Sequence, residues 1–318
     1  MPEVIVAGEA LVEIMRSRLD VPLDAAGPFE GPFPSGAPAI VADALSRLGR
    51  RVGLIAAVGS DDFGRCILHR LAASGVDIRY VRQVPDAATG MAFVAYFHDG
   101  SRRFLFHLRG SAAGHLAPDE VDDAYLRGVA YIHLSGSTLA FSEEVRARCL
   151  RLVDRVRARG GRLSFDPNFR AELLPPLAAR DAFRPFVERA ALVLPGPEEA
   201  CWLTAERDPA AACRALLTQG PELVVLKRGA AGATAFTPEG GIDASGFTVL
   251  EVDPTGAGDC FAAGLLAALL EGSDLRQALR WANAAGALAV MRRGPMEGTP
   301  TRRDLETFLA QAKEAQRL

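Results

Sequence analysis

The chain has little net charge and few cysteines, and both shortages exclude classes of function. Its 318 residues carry a formal net charge of -3, with acidic and basic residues interspersed. Such a chain has no overall electrostatic attraction to nucleic acid or to an anionic membrane. The five cysteines are scattered and form no CxxC pair, which indicates reduced thiols rather than a disulfide or zinc framework. We therefore expect neither nucleic acid nor a membrane as a partner.

Metal-binding histidine pairs, targeting segments and a dinucleotide-binding fingerprint are also missing. The five histidines show neither HExxH nor another ligand spacing, which argues against a transition-metal site. The opening MPEVIVAGEALVEIM has no basic region before its apolar run, and no uninterrupted apolar stretch reaches spanning length. We therefore expect a cytoplasmic protein. The first predicted strand leads into GEALVE instead of GxGxxG, so a dinucleotide-dependent dehydrogenase fits poorly.

Short apolar runs alternate with helical patterns along most of the chain. The runs predict buried strands at Val4 to Ala7, Val52 to Ala57, Tyr131 to Leu134, Arg162 to Phe165, Leu192 to Leu194 and Leu223 to Leu226. The helical patterns are Ala39 to Leu48, Phe63 to Ala73, Ser142 to Arg159 and Pro209 to Thr218. This alternation predicts parallel βαβ units in an α/β fold, a doubly wound and mostly parallel sheet with helices on both faces.

One segment breaks the alternation. Met91 to Phe97 and Arg102 to His107 alternate in polarity on either side of an Asp-Gly pair, which predicts a β-hairpin. Together with Glu13 to Phe33, this hairpin is predicted to form a small sheet over the end of the main one. No linker or repeat separates these segments. We therefore expect a single domain over residues 1–318, with insertions at about 13–33 and 88–110 forming the small sheet.

The segment DPTGAGDCFAAG, residues 253–264, joins a glycine-rich turn to the head of an apolar helix that is predicted from Asp259 to Glu271. Gly256 and Gly258 permit backbone angles closed to other residues and let a ligand approach the main chain. The N–H groups from Ala257 to Asp259 would then point at an anion near the positive end of the helix. Asp259 stands where a general base takes a proton from a substrate hydroxyl. A plain strand-to-helix connection is the alternative for a bare GxGD, but the longer context favours phosphoryl transfer.

Four motifs in the same order resemble the PfkB, or ribokinase-like, family of sugar kinases. They are PSGAPAIVADALSRLG (Pro34 to Gly49) with VGSDDFG (Val58 to Gly64), SFDPNFR (Ser164 to Arg170), LKRGAAGA (Leu226 to Ala233) and DPTGAGDCFAAGLL (Asp253 to Leu266). Trp281 to Leu288 and RRGPMEGT (Arg292 to Thr299) look most like the tagatose kinase branch, and the 2-keto-3-deoxygluconate kinase branch is similar too. The resemblance covers nearly the whole chain. It implies a ribokinase-like fold whose small sheet is a lid over the sugar and often a dimer interface.

The resemblance also implies a role for individual residues. The sugar-binding residues it implies are Glu13, Ser35, Gly36, Ala37, Phe106, Leu108 and Arg170. The phosphoryl-transfer residues are Asp259 as the base, with Gly256, Ala257 and Gly258 as the anion cradle, and the ATP-binding residues are Lys227, Gly229, Gly232, Thr255 and Asn283. Glu199 and Asp166 are implied near Mg²⁺, through water, and a K⁺ site is implied at Asp253 and Thr255 with the carbonyl groups around Ala289, Arg292, Gly294 and Gly298.

Structural roles remain open as alternatives for four of these assignments. Glu13 could be an exposed charge at a strand end, Arg170 a member of a structural salt bridge, and Asn283 a solvated side chain on a helix. The implied K⁺ site could be a plain loop rich in turn residues.

Three positions depart from the family pattern. Ile40 and Gly196 stand where the family has asparagines, the first of which binds the sugar; Ser35 or Asp43 are the candidates to replace that contact. Leu108 stands where 2-keto-3-deoxygluconate kinases have an arginine that binds the substrate carboxylate. Arg109 is one residue off that register and is predicted on the opposite face of the strand.

The sequence therefore predicts an ATP-dependent kinase that phosphorylates a primary hydroxyl of a ketose such as tagatose or fructose. A 2-keto-3-deoxygluconate kinase is the alternative within this chemistry, and a catalytically silent sugar-binding regulator is the alternative outside it. Asp259 and its glycines argue against the silent protein. The expected ligands are the sugar, ATP with Mg²⁺, and K⁺. The expected partner is a second copy of the chain, bound through the lid.

Overall fold

Two β-sheets and the helices around them make up the computed structural model, which describes residues 1–108 and 110–315. The strands are β1 (Val4–Ala7), β2 (Leu11–Arg16), β3 (Phe29–Ser35), β4 (Val52–Gly59), β5 (Asp77–Val84), β6 (Gly90–Tyr96), β7 (Arg102–His107), β8 (Tyr131–Ser135), β9 (Arg162–Asp166), β10 (Ala190–Val193), β11 (Leu223–Lys227), β12 (Ala233–Thr237) and β13 (Gly240–Ala244). The helices are α1 (Ala37–Arg47), α2 (Asp62–Ala73), α3 (Gly136–Leu139), α4 (Glu143–Arg157), α5 (Pro176–Val187), α6 (Pro197–Thr204), α7 (Pro209–Leu217), α8 (Ala257–Leu270), α9 (Leu275–Ala289) and α10 (Arg302–Ala315).

The large sheet has nine strands in the order β13-β12-β11-β10-β9-β8-β1-β4-β5. Neighbours from β5 to β11 pair in parallel, whereas β12 and β13 add an antiparallel edge. The chain moves outward from β1 through β4 to β5, and then from β8 to β11 in the other direction. The strand order therefore reverses between β1 and β8, and ligands of such sheets bind beyond the carboxyl ends of the strands at this point.

The two faces of the large sheet carry separate apolar cores. Val4 and Val6 pack in the core that α1, α8 and α9 cover, while Ile5 and Ala7 pack in the core that α4 and α5 cover. Successive side chains of a strand point to opposite faces, so a strand buried on both faces is a continuous apolar run in the sequence. The predicted doubly wound α/β fold with helices on both faces is confirmed.

The small sheet has the strand order β3-β2-β6-β7. Strands β6 and β7 form the predicted hairpin, in which Tyr96 lies opposite Arg102. Strand β2 joins β6 in parallel and β3 in antiparallel pairing. Strand β7 ends at His107, so Leu108 follows the strand, and Arg109 lies outside the described residues.

Several elements escape the sequence patterns. These are α3, α5, α6, α10, β5, β12 and β13. Helix α5 contains Pro185, a residue that normally ends a helix, and β13 begins with the pair Gly240 and Gly241. Helix α8 begins at Ala257 rather than at Asp259, the start that the sequence predicts. Among the described helices, none combines the length and the apolar character that crossing a membrane requires.

Candidate active site

A cavity of about 180 Å³ lies between the carboxyl ends of the central strands and the small sheet. Glu9 follows β1, Ser137 follows β8, Asp166 ends β9 and Lys227 ends β11, and all four line this cavity. The predicted site residues that line it are Glu13, Ser35, Gly36, Ala37, Phe106, Leu108, Asp166, Arg170, Lys227, Thr255, Gly256, Gly258 and Asp259. The strand reversal between β1 and β8 thus brings together segments from the whole length of the chain. We refer to this space as the sugar cavity.

The turn before α8 requires glycine at Gly256. This residue caps the helix with a left-handed backbone, φ 81°, and a Cβ atom there would lie 2.5 Å from the carbonyl oxygen of Pro295. The Ala257 N–H donates to the Pro254 carbonyl at 3.4 Å. The next two N–H groups, those of Gly258 and Asp259, lie in the first turn of the helix, where N–H groups have no acceptor within the helix. They are therefore available to an anion at this end of α8.

Gly258 does not need the backbone angles that the sequence suggests. It lies inside the first turn of α8 with no left-handed φ, so that expectation is wrong. A Cβ atom on Gly258 would lie 3.6 Å from Nζ of Lys227, with no other described atom outside the helix backbone and the adjoining residues within 4 Å. The space in front of Gly258 therefore belongs to the cavity, and an ammonium group faces it. A side chain at this position would fill space that a ligand would otherwise use.

Asp259 has the acid–base properties of a general base. The pKa of its carboxyl group is raised to about 7, mainly by burial and also by the charge of Asp166, while the charges of Lys227 and Arg170 oppose the rise. A base is most effective when its pKa lies near the working pH, because it is then ionised and still attracts a proton.

The first prediction concerns pH. Below about pH 7 the raised pKa leaves Asp259 protonated and unable to accept a proton, so we expect kcat/KM to fall by about tenfold per pH unit there and to level off above. The pKa of Glu13 is also raised to about 7, so the profile is to be recorded for the parent and for Glu13→Gln. The acidic fall should persist in Glu13→Gln. A flat profile in both proteins would contradict the assignment of Asp259.

Glu13 is buried, so its alternative reading as an exposed charge is wrong. Its side chain is 2% exposed, and Oε2 accepts a hydrogen bond from the Ser35 hydroxyl at 3.0 Å. Oε1 is buried and has no hydrogen-bond partner among the described residues. Burial raises the pKa of Glu13, and the charge of Asp253 adds to that rise. A buried acceptor without a donor is costly, and a ligand hydroxyl in the cavity would satisfy it.

Two arginines flank an aromatic ring in the wall of the sugar cavity. The guanidinium groups of Arg102 and Arg170 lie 5.8 and 6.0 Å from the ring centre of Phe104. Neither forms an ion pair with a carboxylate in the described part of the chain. The alternative reading of Arg170 as a structural salt bridge is therefore wrong. Arg102 is not predicted, although its spacing from Phe104 and Phe106 on β7 places it on the face of the strand that carries both rings.

The predicted contacts near α1 are partly wrong. Asp43 lies outside the cavity, because it is buried against α2 and binds Nε and Nη2 of Arg70 at 2.9 Å each. Ile40 does line the cavity, with an apolar side chain at the family's asparagine position. Glu9 is missed by the sequence patterns. It is buried beside the cavity and accepts hydrogen bonds from Ser137, at 2.6 Å, and from Thr138. Its place directly after β1 is the signal that could have found it.

Lys227 and Asp166 form an ion pair of 2.6 Å on the side of the cavity that faces Gly258. The other carboxylate oxygen of Asp166 accepts the Asn168 N–H at 3.1 Å. Burial lowers the pKa of Lys227, but the charges of Asp166 and Glu199 outweigh burial and raise it overall. Lys227 is therefore a charged donor in the wall of the sugar cavity, next to the start of α8.

Glu199 lies behind this ion pair. Its two oxygens accept the N–H groups of Gly196 at 2.7 Å and of Phe169 at 2.8 Å, and it lines neither of the cavities described here. The position of the missing asparagine, Gly196, is thus tied to Glu199 through the backbone. Each oxygen keeps a lone pair with which to accept a hydrogen bond from a water molecule.

A second cavity of about 330 Å³ adjoins the first, and we call it the nucleotide cavity. The predicted residues that line it are Lys227, Gly229, Gly232, Ala257, Gly258 and Asn283. Asn283 is buried and donates hydrogen bonds to the carbonyls of Ala244 and Ser245 at 3.2 and 3.1 Å, so its reading as a solvated side chain is wrong. Thr255 lines the sugar cavity instead. The apolar walls that the sequence patterns miss include Phe247, Val249 and Phe261.

Of the residues implied at a K⁺ site, Thr255 and Gly294 contact the carboxylate of Asp253. This carboxylate accepts the N–H groups of Thr255 at 3.0 Å and of Gly294 at 2.9 Å, and the Tyr96 hydroxyl at 2.9 Å. Gly298 packs so closely on Ala289 that a Cβ atom would lie 2.1 Å from the Ala289 carbonyl oxygen.

The remaining implied residue of this loop is Arg292. It lies between Ala289 and Gly294 in the sequence, and its side chain is exposed. Within the described ranges, no group of three or more His, Cys, Asp or Glu side chains could hold a metal ion.

Known proteins resemble the chain over nearly its full length. Residues 5–302 match the model of the pfkB family carbohydrate kinases. The 2-dehydro-3-deoxygluconokinase of Thermoproteus tenax is 37% identical over 270 residues, which cover 84% of this chain and 82% of the relative. Fructokinase-2 of Zea mays is 31% identical over 314 residues, 96% of this chain and 93% of the relative.

A solved structure extends the comparison to the fold. A candidate ribokinase II from E. coli, in complex with ATP and Mg²⁺, superposes with a TM-score of 0.92 and 42% identity over 98% of this chain and 100% of that chain. Together with the arrangement of Asp259 and the glycine-containing turn between two cavities, these matches show that the chain belongs to the PfkB family of carbohydrate kinases, phosphotransferases with an alcohol group as acceptor.

Proposed function

We propose that the chain transfers the γ-phosphoryl group of ATP to a primary hydroxyl of a ketose such as tagatose or fructose. The observation that carries this proposal is the unpartnered Oε1 of Glu13, which lines the same cavity as Asp259. A carboxylate that lacks a donor suits a ligand with several neutral hydroxyl groups. The proposal extends to one kinase domain over residues 1–318, with the small sheet as the lid over the sugar.

The two adjoining cavities support a specific placement of the sugar and ATP for the proposed reaction. They share Lys227, Pro254 and Gly258, so a sugar in one and ATP in the other would meet at the start of α8. Asp259 takes the proton of the attacking hydroxyl. The N–H groups of the first turn and the Lys227 ammonium stabilise the negative charge on the transferring group. The small sheet excludes water that would otherwise hydrolyse ATP.

The carboxylates nearby fit the ions that the proposal requires. Asp166 and Glu199 can accept hydrogen bonds from water bound to Mg²⁺, which neutralises the charge of the ATP phosphates. Asp253 is 2% exposed, and no described lysine or arginine forms an ion pair with it. A buried carboxylate without a countercharge supports K⁺ bound beside Asp253 and Thr255, with the carbonyls around Ala289 and Gly294 as further ligands.

A second candidate substrate is 2-keto-3-deoxygluconate. Arg102 and Arg170 both line the sugar cavity without an ion pair to a described carboxylate, so either could bind the carboxylate of an acid sugar. Leu108 argues for the neutral ketose, because an apolar side chain stands where the acid-sugar branch has its arginine. Glu13 argues the same way, since its charge would repel a carboxylate.

The prediction for substrates is a preference for the neutral sugar. We expect kcat/KM for D-tagatose to exceed that for 2-keto-3-deoxygluconate by about tenfold or more, which corresponds to roughly 1.4 kcal/mol. Steady-state rates are to be measured with tagatose, fructose, ribose, 2-keto-3-deoxygluconate and nucleosides. Arg102→Gln tests the acid sugar, and Arg103→Gln, on the outer face of β7, is its matched control. The reverse preference in the parent would establish the acid sugar, and its loss in Arg102→Gln but not in Arg103→Gln would assign the carboxylate to Arg102. No turnover with any of these substrates would favour a silent binding protein.

We also propose a homodimer formed through the outer face of the small sheet. Leu105 and Phe29 are 49% and 40% exposed, and Phe93 lies between them, opposite Leu105 in the hairpin and in an edge-to-face contact with Phe29. Apolar side chains grouped on the open face of a sheet mark a surface for association. A second copy of the chain would cover them, and the small sheet of each copy would then be held from both sides.

A further inference from the structure

Tyr96 joins the small sheet to the turn that carries the anion cradle. It is the last residue of β6, and its hydroxyl lies 2.9 Å from Oδ1 of Asp253 and 2.9 Å from Oγ1 of Thr255. A carboxylate can only accept, so the phenol proton goes to Asp253, and the Thr255 hydroxyl donates to the Tyr96 oxygen. One side chain of the small sheet therefore closes a chain of two hydrogen bonds across the turn.

The turn depends on these bonds for its shape. The Asp253 carboxylate also accepts the N–H groups of Thr255 and Gly294, so it is the point at which the turn is fixed. Gly256 follows at once and leads into the first turn of α8, which carries Asp259. A displacement of Asp253 or Thr255 would be transmitted to the anion cradle through this short and sterically confined backbone.

The position of Tyr96 on the small sheet also links the turn to the sugar cavity. Tyr96 lies directly opposite Arg102 in the β6–β7 pair, and residues paired in this way project from the same face. Arg102 lines the sugar cavity, whereas the Tyr96 hydroxyl reaches the turn. One rung of the hairpin thus touches both the place of the sugar and the place of the phosphates.

From this geometry we infer that Tyr96 is a positioning residue, which holds the anion-binding turn in its catalytic shape through Asp253 and Thr255 while the small sheet covers the sugar cavity. The inference rests on the proposed kinase reaction at Asp259. It assigns no contact between Tyr96 and either substrate. Loss of the Tyr96 hydroxyl group should therefore slow the transfer step and leave the binding of sugar and ATP almost unchanged.

The test replaces one hydroxyl group. Tyr96→Phe is expected to lower kcat by about tenfold or more, with both KM values within about twofold of the parent, because a hydrogen bond to a charged group is lost from the turn and not from a substrate contact. The matched control is Tyr80→Phe, which removes a tyrosine hydroxyl bonded to the carboxylate of Asp122 at 2.6 Å on the far edge of the large sheet. It should keep parental rates. An inactive parent would refute the kinase proposal itself.

A double-mutant cycle separates positioning from a general loss of structure. Thr255→Val should lower kcat as Tyr96→Phe does, Thr255→Ser should restore most of it, and the double variant Tyr96→Phe/Thr255→Val should be no slower than the slower single variant. Thermal melts of all variants report folding. Losses that multiply in the double variant, an unchanged kcat in Tyr96→Phe, or equal losses in Tyr96→Phe and Tyr80→Phe would each overturn the inference.

Discussion

Asp259→Asn is expected to lower kcat by about 10²-fold or more, the usual effect of removing a positioned general base. The amide keeps the size and polarity of the carboxyl group but cannot accept the proton of the sugar hydroxyl. The burial that raises the pKa of Asp259 makes the neutral side chain easy to accommodate, so the fold should tolerate the change. Sugar and ATP binding, measured by titration calorimetry, should stay close to the parent values.

The matched control for this variant is Asp62→Asn. Asp62 also lies in the first turn of a helix, α2, but its carboxylate is exposed and pairs with Arg65. Its replacement should leave kcat within about twofold of the parent, as is usual for a surface substitution. If Asp259→Asn turned over within a few-fold of the parent, the proton would have to leave by another route, and Asp259 would be a binding residue only.

Gly258→Val is the second variant with a large expected effect. A Cβ at this position points toward Nζ of Lys227, into the space where the two cavities meet, and the branches of valine would occupy the place that we propose for the transferring phosphoryl group. We expect kcat to fall by about 10²-fold or more, comparable to the loss of one donor from an oxyanion site. The backbone of Gly258 is helical, so the variant should fold.

Gly258→Ala gives the graded control. Its single methyl group would make an ordinary contact of 3.6 Å with the Lys227 ammonium, so a much smaller loss is expected than for valine. Circular dichroism and thermal melts should show both variants folded. A folded and fully active Gly258→Val would place the phosphates away from the start of α8.

The sequence predicts the fold well where the physical signal is local. Strand β1 is recognisable because burial on both faces produces an uninterrupted apolar run, and the β6–β7 hairpin because an Asp-Gly pair separates two alternating segments. Helix α5 is missed because Pro185 suggests a break, although the surrounding core keeps the helix intact. Tertiary packing keeps α5 helical, and such packing cannot be predicted from a short segment of sequence.

The site shows the same division. Asp259 and Gly256 belong to one short motif, and their roles depend on neighbours in sequence. The burial of Glu13 depends on β2 pairing with β3, and the contact of Arg102 with the cavity depends on how the small sheet lies over the large one. The sequence does not show whether Asp43 contacts the sugar, because a carboxylate on α1 can face either the cavity or α2. Only the packing of the two helices brings Asp43 to Arg70.

The central place of β1 has a consequence for how the chain is synthesised. β1 ends at Ala7, yet one of its two partners, β8, begins only at Tyr131, more than a hundred residues later in the chain. At about 5–20 residues per second, a ribosome needs roughly 6–25 s to proceed from β1 to β8. During this interval one hydrogen-bonding edge of an apolar strand is open, and such edges pair readily with other chains. Nascent chains that end before β8 are therefore expected to depend on chaperones, and fragments cut there to aggregate.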